Sequence, residues 1–244
     1  IDNLPDFSEW HSKNIMLKFK NISWNKSIKE LHKSENIGNY KSNFYQRLAY
    51  DEIFSTFLVN SEIRKKIKKL KKKNKIINIS KQNSLIKNLD FSLTNDQVKS
   101  LNEINKDLSS SNKMFRLLQG DVGSGKTIVS LLAAINIINT GFQVALMAPT
   151  EILARQHYNF AKKIFPENIN IEIISGKSEY KKKKEILKRL EDNKIDIIFG
   201  THAIFQKKVI FKKLGLIIID EQHKFGVNQR KRLSDKGGID CDVL

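Results

Sequence analysis

The sequence predicts an α/β fold, a doubly wound parallel sheet preceded by a mainly helical segment. Three observations carry this. From Phe115 onward short apolar runs alternate with amphipathic helical stretches. A glycine-rich loop, Gly120 to Thr127, separates the first run from an apolar helix. The run Leu216-Ile217-Ile218-Ile219 is too apolar for an exposed strand and too short for a typical helix. Strands that alternate with helices must pair in parallel through right-handed crossovers, which gives the doubly wound arrangement.

The elements follow in order. Residues 1 to about 40 are mixed, with Trp10 and Trp24 but no clear repeat. From Phe44 to Leu58 the apolar set Tyr50, Ile53, Phe54, Phe57 and Leu58 falls at helical spacing, and Ile63, Ile67 and Leu70 prolong it, which predicts a long helix. Between Arg64 and Lys75 there are nine basic residues and no acidic one, readable as a solvated helix face or as a nucleic-acid contact. Thr94 to Leu108 is a shorter helix with Val98, Leu101, Ile104 and Leu108 on one side, followed by a loop at Ser109-Ser110-Ser111-Asn112. Then come strand Phe115–Leu118, helix Lys126–Ile138, strand Val144–Met147, helix Glu151–Phe165 and strand Ile171–Ile174. Helix Glu179–Glu191, strand Ile195–Phe199 and strand Leu216–Ile219 complete the series, and another strand begins at Val243. The expected division is a helical linker region over 1–90 and an α/β domain over 91–244.

Composition narrows the class. At 244 residues the chain can bury a sizeable core, and Cys241 is its only cysteine, which excludes an internal disulfide or a cysteine metal cage. No run is apolar for long enough to span a bilayer, and no basic-then-apolar signal pattern opens the chain, so the expected compartment is the cytoplasm. The net charge of +18 favours a polyanionic partner. Only 7 of the 44 basic residues are arginine, however, and Lys, Asn and Ile abound, so part of the charge is open to explanation as compositional drift.

The chemistry is concentrated in two motifs. Gly120-Asp-Val-Gly-Ser-Gly-Lys-Thr127 is a full phosphate loop. Gly120, Gly123 and Gly125 permit backbone conformations that turn successive N–H groups, Ser124 among them, toward phosphate oxygens at a helix N-terminus. Lys126 reaches the β- and γ-phosphates of ATP, and the Thr127 hydroxyl can ligate Mg²⁺. Leu117 and Leu118 suit a buried strand leading into the loop. The second motif is Asp220-Glu221, delivered to the carboxyl end of the apolar run at 216–219, where α/β sheets bind ligands. Asp220 is the expected holder of the Mg²⁺ shell and Glu221 the candidate to orient or deprotonate the attacking water. Taken alone, the pair also reads as a solvated acidic turn. His157 and His202 have no partner at ligand spacing, so no metal is expected there.

These residues resemble the first motor domain of superfamily 2 helicases, specifically the RecG type, the bacterial branched-DNA helicases. The similarity runs through Gly120 to Thr127, Ala148-Pro-Thr-Glu-Ile-Leu-Ala154 with Gln156-His157, Gly200-Thr-His-Ala203 and Asp220-Glu-Gln-His-Lys-Phe-Gly-Val227. Gln46-Arg-Leu-Ala-Tyr-Asp-Glu52 resembles the segment ahead of the motor. The resemblance implies a RecA-like core. It makes Gln97 the reader of the adenine, though Thr94 and Gln97 also fit a capping box. It makes Thr150 the residue on the DNA backbone, and Gly176 and Thr201 occupy similar strand-end positions that suit phosphate contacts through N–H and hydroxyl groups, though Thr150 also suits a helix cap before Glu151. His223, after Asp220-Glu221, resembles the residue that couples ATP state to the nucleic-acid side. It implies ATP and Mg²⁺ as cofactors, branched duplex DNA as partner, a monomer, and no membrane. A wedge domain is expected before Ile1. A Ser/Ala-Thr-Pro motif and a second motor domain with its arginine finger are expected after Leu244, so residues 1–244 alone are expected to hydrolyse ATP weakly. Lys224 and Asn228 stand where the family has Arg and Glu. The alternatives are a transcription-repair coupling translocase, which usually carries Asp-Glu-Glu-Gln after the central strand, and a non-catalytic nucleotide- and DNA-binding module.

Overall fold

The computed structural model describes residues 4–5, 7–33, 39–68, 70–176, 180–206, 208–224 and 238–244, and it divides into two compact units, Ile1–Lys66 and Ile67–Leu244.

In the first unit, α1 (Lys13–Lys18), α2 (Trp24–Leu31) and α3 (Asn43–Lys68) are helices. Ser23 starts α2 by accepting the Lys26 N–H on its side chain. The centre is polar. Arg47 is fully buried, with its Nη2 at 3.0 and 3.1 Å from the two Glu9 carboxylate oxygens and its Nε 3.4 Å from Asp51 Oδ1. His11 Nε2 lies 2.5 Å from that same oxygen. Stacked rings cover this network, Trp10 on Phe54 at 5.4 Å and Tyr50 on Phe54 at 5.6 Å. The Arg47 and Asp51 of the segment ahead of the motor thus have a structural occupation. Helical spacing located α3 correctly, yet Ile53, Phe57 and Leu58 on it are exposed, Phe57 by 68%.

The second unit contains a five-stranded parallel sheet in the order β2-β3-β1-β4-β5. The strands are β1 (Gln143–Met147), β2 (Ile171–Ile174), β3 (Ile197–Gly200), β4 (Leu214–Ile219) and β5 (Asp242–Val243). Alternation along each strand sorts side chains to two faces. Val144, Leu146, Ile197, Phe199, Leu216 and Ile218 join one core cluster, whereas Ala145, Ile198 and Ile217 join the other. Burial on both faces is what the continuous apolar runs required. The helices are α4 (Ile79–Lys87), α5 (Asn95–Ser109), α6 (Lys126–Ile138), α7 (Glu151–Ile164) and α8 (Tyr180–Glu191). Helix α6 is apolar nearly all round because it lies between β1 and β4 on one side and α4 and α5 on the other. An amide chain fixes that layer: Asn136 donates to Asn105, Asn105 to Gln82, and Gln82 to the Leu132 carbonyl, at 2.8, 2.9 and 2.7 Å. Residues 67–90, grouped by sequence with the linker, therefore include a helix packed on the phosphate-loop helix.

Three expectations need correction. Residues 115–118 do not form a full strand: Phe115 makes a single parallel bridge to Val243, and Leu117 is 68% exposed. Their ladder partner β5 is only two residues long, so pairing stops at one bridge, and Leu117 and Leu118 face a cleft rather than the core. Val98 on α5 is exposed, and Asn105 takes a core position there. The basic run at 64–75 is neither wholly solvated nor wholly free for phosphate. Lys72 and Lys75 are buried, and each Nζ lies 2.7 Å from a carboxylate oxygen of Asp242. Burial pulls the Lys72 ammonium below the usual lysine range, partly offset by Asp242. The side chains of Arg64, Lys66, Lys68 and Lys69 lie outside the described part.

Candidate nucleotide and nucleic-acid site

The carboxyl edge of the sheet collects the sequence-predicted residues. Thr150 follows β1, Gly176 follows β2, Thr201 follows β3 and Asp220 follows β4, so the order β2-β3-β1-β4 places three of them on adjacent strand ends and Asp220 beside them. The phosphate loop opens α6 on the β4 side. Gly123 and Gly125 have φ of +83° and +80°, the left-handed region that glycine enters without strain. A Cβ on Gly125 would also collide with Gln97 Nε2. The Lys126 ammonium donates to the Gly120 and Asp121 carbonyls, 2.7 Å each.

Gln97 does two jobs. Its side-chain oxygen accepts the Thr94 N–H while the Thr94 hydroxyl accepts the Gln97 N–H, a complete capping box. Its Nε2 donates 2.9 Å to the Ser124 carbonyl, tying α5 to the phosphate loop.

A cleft of about 490 Å³ lies between loop and β4, lined among others by Gly120, Lys126, Thr127, Asp220 and Glu221. Asp220 is placed firmly. Its N–H donates 2.8 Å to the Met147 carbonyl, and its Oδ2 lies 2.8 Å from His157 Nε2. The His157 hydrogen bond, opposed by burial and helped by the charge of Lys126, holds the Asp220 carboxyl below the usual carboxylate range. Asp220 is thus ionised at neutral pH, the state that ligates a hard cation. Glu221 sits at φ +51°, in the left-handed region, which for a residue with a Cβ costs roughly 1–3 kcal/mol and is typical of functional turns. His157 belongs to the Gln156-His157 pair that carries the resemblance, yet sequence reasoning assigned it no place in the site. Its carboxylate partner lies 63 residues away, beyond the reach of any local spacing.

On the β2-β3-β1 side, the Thr150 hydroxyl accepts the Leu153 N–H and caps α7. The Gly176 N–H donates 2.6 Å to Glu151 Oε1. Thr201 is buried at the start of the 3-10 turn His202–Phe205, and a Cβ on the preceding Gly200 would meet the Ile174 carbonyl at 2.5 Å, so only glycine fits there. Lys224 is exposed in a second short turn; the His223 side chain and residues 225–237, Asn228 among them, lie outside the described part. Among the described residues no group of three His, Cys, Asp or Glu is arranged to hold a metal on its own, and no helix is long and apolar enough to cross a membrane.

Comparison with known proteins decides the family. The DEAD/DEAH box helicase model matches residues 94–237, more than half of the chain. The chain belongs to the DEAD/DEAH box helicase family. Among relatives of this DEAD/DEAH chain, the ATP-dependent DNA helicase RecG of Aquifex aeolicus is 42% identical over 216 residues, covering 86% of this chain and 27% of the relative. The RecG of Streptococcus pneumoniae is 38% identical over 245 residues, covering all of this chain and 35% of the relative. A solved structure of RecG bound to a three-way DNA junction superposes with a TM-score of 0.73 at 35% identity, over 98% of this chain and 35% of that one. The DEAD/DEAH chain therefore spans about a third of the length of these relatives. Its parallel sheet with a helical N-terminal segment is the RecA-like helicase fold.

Proposed function

We propose that the chain is the ATP-binding motor portion of a DNA helicase that remodels branched duplex DNA, such as stalled forks and Holliday junctions, in recombination and repair. The observation that carries this reading is the single sheet edge on which a phosphate loop and an ionised Asp220 face one cleft while Thr150, Gly176 and Thr201 occupy the neighbouring strand ends. The likeness to RecG over almost the whole chain, including a RecG structure bound to a three-way DNA junction, supports branched DNA as the partner.

The cleft fits Mg-ATP. Gly120, Gly123, Ser124 and Gly125 supply backbone to the phosphates, Lys126 supplies charge, and Thr127 and Asp220 supply oxygen ligands to Mg²⁺. The bound cation would neutralise charge on the transferred phosphoryl group. Glu221 accepts the proton of the attacking water, and Gln97 reads the base while capping α5. His223 communicates between nucleotide and DNA. Residues 91–244 form the first motor domain, 1–90 the segment leading into it, and the protein works as a cytoplasmic monomer.

The test uses the full-length protein. With ATP and Mg²⁺ it is expected to unwind a forked duplex and to prefer forks over linear duplex, with affinity falling at a log-log salt slope of about −0.9 per neutralised phosphate. Equal binding of forks and linear duplex would refute the branched-DNA part. ATP hydrolysis without any unwinding or translocation would refute the helicase.

A further inference from the structure

We propose that His157 is the positioning residue for the carboxylate of Asp220 and that helix α7 thereby links the nucleic-acid edge of the sheet to the nucleotide cleft. The inference rests on the Mg-ATP and DNA reading of this edge.

Three contacts hold Asp220, and they differ in kind. Its backbone N–H to Met147 fixes the Cα, the Glu221 backbone N–H meets the carboxylate from the next residue, and the His157 bond at 2.8 Å ties the carboxylate to α7. A carboxylate only accepts hydrogen bonds, so His157 carries its proton on Nε2 and donates it. A group that orients a metal ligand in this way typically contributes 10–100-fold to metal affinity.

The link to the other half of the edge is α7 itself. Thr150 caps the helix and Glu151, its first residue, accepts the Gly176 N–H, so the first turn of α7 engages two of the three candidate DNA positions. His157 follows Thr150 by seven residues, about 10 Å along the axis at 1.5 Å per residue. The helix is seated on the sheet through buried Ala154 and Ala161 and through Tyr158, whose ring meets Phe199 edge-on at 6.1 Å. A phosphate that moves the first turn must therefore move His157 with it, because the helix between them is held as one body. His157 occupies the junction between the two halves of the edge, and its side chain lines the cleft.

The experiment measures binding rather than turnover. In full-length protein, a fluorescent non-hydrolysable ATP analogue is titrated with Mg²⁺, with and without forked duplex, for the unmodified protein, His157→Ala and His157→Gln. The alanine variant is expected to raise the Mg²⁺ midpoint roughly 10–100-fold. Glutamine, which keeps a donor at similar reach, should recover most of the loss. Forked DNA should shift the midpoint in the unmodified protein and leave His157→Ala unshifted. An unchanged midpoint in His157→Ala would overturn the positioning role, as would a glutamine variant as impaired as alanine. Equal DNA shifts in both proteins, or none in the unmodified one, would overturn the link through α7. If the alanine variant fails to fold, His157→Met keeps the bulk, removes the donor and gives the same discrimination. Unmodified protein whose nucleotide binding ignores Mg²⁺ would instead refute the Mg-ATP reading itself.

Discussion

Asp242→Ala is expected to destabilise the chain by about 3–5 kcal/mol, because it leaves two buried ammonium groups without their counter-charge. Lys72 and Lys75 both reach this carboxylate, and the Met114 N–H donates to its Oδ1 at 2.7 Å. The remaining donor capacity of the lysines goes to carbonyls: Lys72 to Leu108 at 3.1 Å, Lys75 to Asp240 at 2.6 Å and Gly215 at 3.0 Å. The clasp therefore joins the segment after α3, the end of α5, the approach to the phosphate loop and β4. For a chain of this size the loss corresponds to a melting temperature lower by on the order of 10 °C. The exposed pair Lys65–Glu62, at 67% and 61% side-chain exposure, provides the contrast. Lys65→Gln should change stability by less than about 0.5 kcal/mol. Cys241, the neighbour of Asp242, gives a local probe. It is buried, and burial pushes its thiol up to about 12, so alkylation under native conditions should be slow. In Asp242→Ala it should be fast at temperatures well below melting. Unaltered melting together with unaltered alkylation would show that the clasp contributes nothing.

Glu221→Gln in the full-length protein is expected to reduce ATP turnover on forked DNA by about 10²–10⁴, the usual contribution of a general base, while ATP affinity stays within a few-fold. The amide keeps the size of the side chain and its place in the cleft but cannot take a proton. Because Gln also retains a Cβ, the left-handed backbone at φ +51° is equally strained in both proteins, and the substitution isolates proton transfer from backbone effects. Steady-state hydrolysis and equilibrium nucleotide binding measured side by side check this. If hydrolysis and unwinding both survived, the base would have to be another group and the assignment of the Asp220-Glu221 pair would fall.

How much of this was legible in the sequence depended on range. The phosphate loop is a contiguous string whose glycines carry their own conformational signal, and the strand Leu216–Ile219 is marked by a run that no exposed element tolerates, so both were readable. The capping box at Thr94 and Gln97 is local and was readable as well. What was not legible was every pairing between distant residues. Lys72 and Lys75 sit within a lysine run that looks uniform, and only the fold reveals that two of them meet a carboxylate 170 and 167 residues away. His157 looked unpartnered for the same reason. The strand expected at 115–118 failed differently: its apolar residues were real, but apolarity does not distinguish a core from a cleft wall, and Leu117 lines the cleft. Helices α1, α2 and α4, of 6, 8 and 9 residues, are too short for a periodicity to stand out.

The central claim is that Gly120–Thr127 and Asp220 form one Mg-ATP site, and isothermal titration of Mg-ATP into the unmodified chain and into Lys126→Ala tests it most directly. Removing the ammonium deletes charge-assisted bonds worth roughly 1.5–3 kcal/mol, so affinity is expected to fall about 10–100-fold while the melting temperature without nucleotide stays nearly the same. Mg-ATP that binds Lys126→Ala as tightly as the unmodified chain would contradict the account, since the nucleotide would then occupy some other part of the molecule.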